Sequence, residues 1–307
     1  MKKNKYLNNL ISYSTFLIPH SLLLLLIVSF LLSCQTMPKT QDTFLEDIQF
    51  LPLESGASAY VFANVQKAQL ILNLLPFEEL NDPQARQMMD RTGYFVAAIF
   101  PKASGKRFQL AAWGNYPSAR AGFAFTFDKN WKKQSSASGG SYWYSSAGRL
   151  SLSMTAKQAF IASSLTSQPF DPFNQDDVNI PEGFNVFRSG ADLSCWIEDA
   201  AVSVTRVLNN AGLPVQVPIK QMFINLDTVS GGRYEAAIRL KFDSATQARG
   251  MASIINLASS FGFTGSDFIA SLFMANPSAQ NGNSLDFISA LLDDQDIMSL
   301  FDMFLSM

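Results

Sequence analysis

The 307-residue sequence predicts an α+β fold. Two tandem split-βαβ, ferredoxin-like units would each carry an antiparallel sheet with helices on one face, and the chain would end in C-terminal helices. Three observations predict this. Two hairpin patterns occur, each followed at once by a helix pattern. A stretch rich in Pro, Asp and Asn, Ser167 to Gly183, separates them. The two halves also align without gaps at a shift of 126, where Ser104, Gly105, Arg107, Ala111, Ser118 and Ala119 meet Ser230, Gly231, Arg233, Ala237, Ser244 and Ala245. In the same register Phe108 meets Tyr234, Gln109 meets Glu235 and Tyr116 meets Phe242.

The first half, residues 51–170, opens with a short strand over Ala59 to Phe62. Val65, Ala68, Ile71, Leu72 and Leu75 then fall at helical spacing, and Pro76 stops that helix. A second helix is expected around Pro83 to Asp90. Tyr94–Phe100 and Arg107–Trp113 read as a hairpin around Lys102–Lys106. Pro117 suits the first turn of a helix running to about Phe127. Ser135–Ser141 reads as a loop, and Tyr142–Tyr144, Leu150–Met154 and Ala159–Ala162 as a strand meander. The alternation of Leu150 to Met154 suits a strand with one wet face.

After a linker over 171–183, the second half, residues 184–307, repeats the plan. It reads as a strand at Asn185–Phe187, a helix over Ala191–Asn209, a hairpin of Lys220–Thr228 and Arg233–Phe242, and a helix from Ala245 to Ser260 capped by Ser244. The final strands of the first half are not expected here. Leu285, Ile288, Leu291 and Leu292 form one helical stripe, and Ile297, Leu300, Phe301 and Phe304 another.

The N-terminus carries a different signal. Lys2, Lys3 and Lys5 precede an apolar run of twelve residues, Ser21 to Leu32, too short for a comfortable membrane span. Leu31-Leu32-Ser33-Cys34 follows in the order apolar, tolerant, small, cysteine. This resembles the lipobox of bacterial lipoproteins, with Leu32 a less usual residue at the tolerant position. The resemblance covers about the first tenth of the chain. It implies a signal peptide over 1–33, cleavage after Ser33, lipid on Cys34 and a lipidated tether over 34–50. The membrane would then be the first partner, and the mature domain would lie in the cell envelope, outside the cytoplasm.

Loss of the leader leaves 20 basic and 25 acidic side chains, a net charge of −5. No Lys/Arg cluster suggests a phosphate track, which argues against nucleic acid and against an electrostatic grip on anionic lipid heads. His20, in the leader, is the only histidine. Ser-His-Asp and Cys-His chemistry and histidine-ligated metal are therefore excluded from the mature chain. Neither a phosphate-binding glycine loop nor an S-x-x-K motif occurs in the mature chain, so no cofactor and no catalytic residue is expected. Cys195, in an apolar context read as helical, reads as a buried hydrophobe.

The weaker candidates are surfaces. Tyr142, Trp143 and Tyr144 after a Gly/Ser loop could anchor a partner, or simply place a large residue on each face of a strand. Ile297, Met298, Leu300, Phe301 and Phe304 could form an apolar binding surface or pack on a sheet. Asp293-Asp294-Gln295-Asp296 lacks the spacing of a calcium loop and suits a helix N-cap; Asp171 to Asn179 suits a solvated linker. The expectation is a membrane-anchored, non-enzymatic binding or scaffolding module with an envelope protein partner. The alternative is a carrier or sensor of a lipid-like apolar ligand.

Overall fold

A computed structural model describes residues 53, 56–74, 86, 89–101, 103, 105–137, 139–164, 166, 169, 171, 190–210, 216–260 and 278–305. The signal peptide, Cys34, the tether, most of the 171–183 linker, the strand expected at Asn185–Phe187 and most of the helix expected at Pro83–Asp90 lie outside them. In chain order the elements are β1 (Ala59–Asn64), α1 (Gln69–Asn73), β2 (Thr92–Ile99), β3 (Lys106–Gly114), α2 (Ser118–Phe127), β4 (Lys132–Ser135), β5 (Ser141–Ser145), β6 (Leu150–Met154) and β7 (Gln158–Ser164). There follow β8 (Leu193–Glu198), α3 (Ala201–Asn210), β9 (Ile219–Val229), β10 (Arg233–Phe242), α4 (Ala245–Ser260), β11 (Ser278–Asn281), β12 (Ser284–Leu292) and α5 (Asp294–Leu305).

The fold is mixed α/β around a large sheet. The strands hydrogen-bond in the order β11-β12-β10-β9-β8-β1-β2-β3-β7-β6-β5-β4. Among the elements named, the order strand, helix, strand, strand, helix occurs twice, as β1-α1-β2-β3-α2 and β8-α3-β9-β10-α4. A split βαβ sets two helix-linked strands parallel with a third between them, and two tandem units of that kind do not emerge. β8 and β9, on either side of α3, are antiparallel neighbours, whereas β10 and β11, on either side of α4, both run antiparallel to β12, which lies between them. Local pattern places helices between strands but does not say whether the next strand returns beside its predecessor.

Two compact units emerge, and they do not follow chain order. One holds Phe77–Tyr94 and Pro101–Val178; the other holds Glu54–Pro76, Phe95–Phe100 and Asn179–Met307. β1 joins the later unit because it pairs antiparallel with β8, with Val61 opposite Cys195. Cys195, Trp196 and Ile197 are all buried there. The helix expected over Ala191–Asn209 is thus a strand followed by α3. Burial on both faces had erased the alternation that marks a strand.

The stripe of Leu285, Ile288, Leu291 and Leu292 is likewise the strand β12, not a helix. Its register against β10 shifts between Ala236 and Ile238, so a bulge adds a residue. The inward set becomes Leu285, Phe287, Ala290 and Leu292, while Leu291 turns outward, so the expected stripe mixed inward and outward positions. The short edge strand β4 falls where no strand was expected. In the earlier unit, α2 packs Ala121 and Phe125 onto Trp131, Trp143, Leu150 and Leu152. The Ser244 cap is present: Gln247 N–H donates to its Oγ at 3.2 Å, and Ser244 N–H donates to Gln247 Oε1 at 3.2 Å.

Candidate functional site

The aromatic trio lies on β5 and is buried, with Tyr142 at 5%, Trp143 at 9% and Tyr144 at 7% exposure. Paired residues of antiparallel strands share a face. Trp143 lies opposite Leu152 and points toward α2, its ring 5.5 Å from that of Phe125. Tyr142 and Tyr144 take the other face. Burial pushes the Tyr142 hydroxyl pKa up, and the charge of Asp171 adds to it. The trio therefore packs both faces of one strand, and none of its rings stands open to a partner in this structure.

The C-terminal stripe divides in the same way. Ile297, Leu300 and Phe301 are buried, and Met298 is 43% exposed. The Phe304 side chain lies outside the described residues. The acidic residues at the start of α5 are used locally. Asp296 N–H donates to Asp293 Oδ1 at 3.0 Å, and Asp293 N–H donates to Asp296 Oδ2 at 3.0 Å. Tyr234 O–H donates to Asp294 Oδ1 at 3.0 Å and ties the helix to β10. Burial raises the Asp296 carboxyl pKa, and the Asp293 charge adds to that rise. Cys195 is fully enclosed, and burial drives its thiol far above the usual range.

The most unusual surface was not singled out from the sequence. Phe123 and Phe127 on α2 are 68% and 69% exposed, with ring centroids 4.6 Å apart. In Gly122-Phe123-Ala124-Phe125-Thr126-Phe127, the three phenylalanines alternate as in a strand. On a helix, Phe125 turns inward, while Phe123 and Phe127 stack one turn apart on the outside. Gly122 lets the helix sit close to the sheet, since a Cβ there would lie 3.3 Å from the Trp143 ring. The helical spacing of the outer pair was the signal available in the sequence.

Residues 48–267 match the sequence profile of the family described as outer membrane-associated lipoprotein TP0453. The chain belongs to that family. Membership in this family bears out the reading of the chain as a bacterial lipoprotein and its expected place in the cell envelope, now at the outer membrane. The fold agrees with solved TP0453 structures. Crystal form III is 17% identical, with 81% of this chain and 96% of that chain covered at a TM-score of 0.58. Crystal form I is 16% identical, with 86% and 97% covered at 0.56. No curated sequence matches the chain.

Proposed function

We propose that this lipoprotein is a non-enzymatic binding module that seats its mature domain on the membrane through the outer face of α2. The observation that carries the reading is the exposed pair Phe123 and Phe127. Large aromatics left in water are an unclaimed driving force: burying each in an apolar phase is worth about 1.5–3 kcal/mol. A tether of residues 34–50 reaches at most about 60 Å from the lipid on Cys34. The bilayer is thus the apolar phase at the highest local concentration. The lack of histidine after residue 20 supports a role other than catalysis. The buried set Ile297, Leu300 and Phe301 supports α5 as a packed element more than as the lid of an apolar carrier.

The test uses the lipidated protein with Phe127→Trp, reconstituted into vesicles whose acyl chains carry bromine. Fluorescence loss beyond that of the wild-type protein is the expected result, because the new indole would enter the acyl region. An unquenched indole would sink the reading and leave an envelope protein as the partner to seek by pull-down.

A further inference from the structure

The mature chain is acidic as a whole, yet the segment Ser118–Ser135 is not. It carries Arg120, Lys129, Lys132 and Lys133 against a single acid, Asp128. Lys129 lies in the turn just after α2, two residues from Phe127, and is exposed. The Asp128 carboxylate is occupied locally, accepting the Asn130 N–H at 2.9 Å. Lys133 is exposed on the edge strand β4 and lies opposite Trp143 in the β4–β5 register. Trp143 packs under Gly122 and beside Phe125 of α2, so Lys133 stands on the helix side of the sheet. Lys132 lies opposite Tyr144 and projects to the other side. Among the described residues no carboxylate forms an ion pair with Lys129 or Lys133.

We propose that Lys129 and Lys133, beside Phe123 and Phe127, select a bilayer bearing anionic phosphate headgroups. The inference rests on the seating of α2 proposed above and adds the lipid class. An apolar pair next to unpaired lysines matches the layering of a membrane, acyl chains inside and phosphates at the rim. Each lysine brought to an anionic surface favours the seated state by about fivefold. The effect fades as salt shortens the screening length below about 8 Å.

The same Phe127→Trp reporter, in lipidated protein, is compared in brominated vesicles of pure phosphatidylcholine and in vesicles containing phosphatidylglycerol. Deeper quenching with phosphatidylglycerol is expected. Lys129→Gln with Lys133→Gln should remove most of that gain, about twenty-five-fold in the seated-to-unseated ratio, and Lys132→Gln should leave it nearly intact. Equal quenching in both lipids would overturn the lysine inference while leaving the apolar seat standing. An equal loss from Lys132→Gln would overturn it too, because general charge would then explain the gain. Absence of quenching in either lipid would remove the seat itself.

Discussion

Single atoms decide several properties of this chain. Gly114, at the end of β3, is one: a Cβ there would overlap the Arg91 carbonyl oxygen, which also accepts the Asn115 N–H at 2.9 Å. Backbone meets backbone, so no side chain can swing aside. Gly114→Ala should cost roughly 3 kcal/mol or more in urea unfolding. Gly122→Ala, which presses only on the edge of the Trp143 ring, should cost less. Tyr116 and Tyr234 set the alkaline limit. Burial lifts both hydroxyls to about 12; the bond to Thr92 partly offsets this at Tyr116, and the Asp294 bond and charge add to it at Tyr234. Because the folded values lie above the unfolded one, their stabilising contribution is complete below pH 10 and disappears as pH rises toward 12. Absorbance titration near the tyrosinate band should show a late phase that shrinks in Tyr116→Phe and in Tyr234→Phe. A late phase unchanged in both variants would refute the assignment.

At the scale of elements, the sequence was legible wherever one face of a strand or helix is wet. β9 and β10 stand where the hairpin pattern put them, and β10 alternates cleanly from Tyr234 to Phe242. α2 and α4 begin next to the expected proline and serine. The pattern failed where water is absent from both faces or where a bulge breaks the period. At β8, Cys195-Trp196-Ile197 offers no polar position to betray the alternation. At β12, the bulge interrupts the period of two, so no clean alternation marks the strand and the expected stripe mixed Leu285 and Leu292 inside with Leu291 outside. The outer surface of α2 went unread although its helix was expected: at helical spacing Phe123 and Phe127 share one face and Phe125 takes the other. The caps are the most transferable element-level feature. Ser244→Ala removes one half of a reciprocal cap and should lower stability by about 1 kcal/mol, with amide exchange in the first turn of α4 rising in step. If exchange there were unchanged, the cap would not be holding the helix end.

At the scale of the molecule, the strand character of β12 decides what a truncation does. Ending the chain after Leu292 removes only α5 and uncovers the apolar contacts of Ile297, Leu300 and Phe301. The later unit should lose stability yet keep its strands in circular dichroism. Ending it before Ser284 removes a strand that pairs with both β10 and β11. That unit should then fail to fold and should be cleaved rapidly by protease. Equal behaviour of the two truncations would contradict the strand order.

The pairing of β1 with β8 has a consequence for secretion. β1 is among the first parts of the mature chain to leave the cytoplasm, and its partner follows more than a hundred residues later, with Ala59 waiting for Ile197. β3 through β7 all lie within residues 106–164 and can pair as soon as they arrive. In the later unit the β1–β8 pair instead joins an early piece of chain to a late one. During translocation β1 therefore has β2 at hand on one side but waits on the other until β8 is delivered. One edge of β1 thus stays open late into export, and the later unit closes only when its last-arriving strands are delivered.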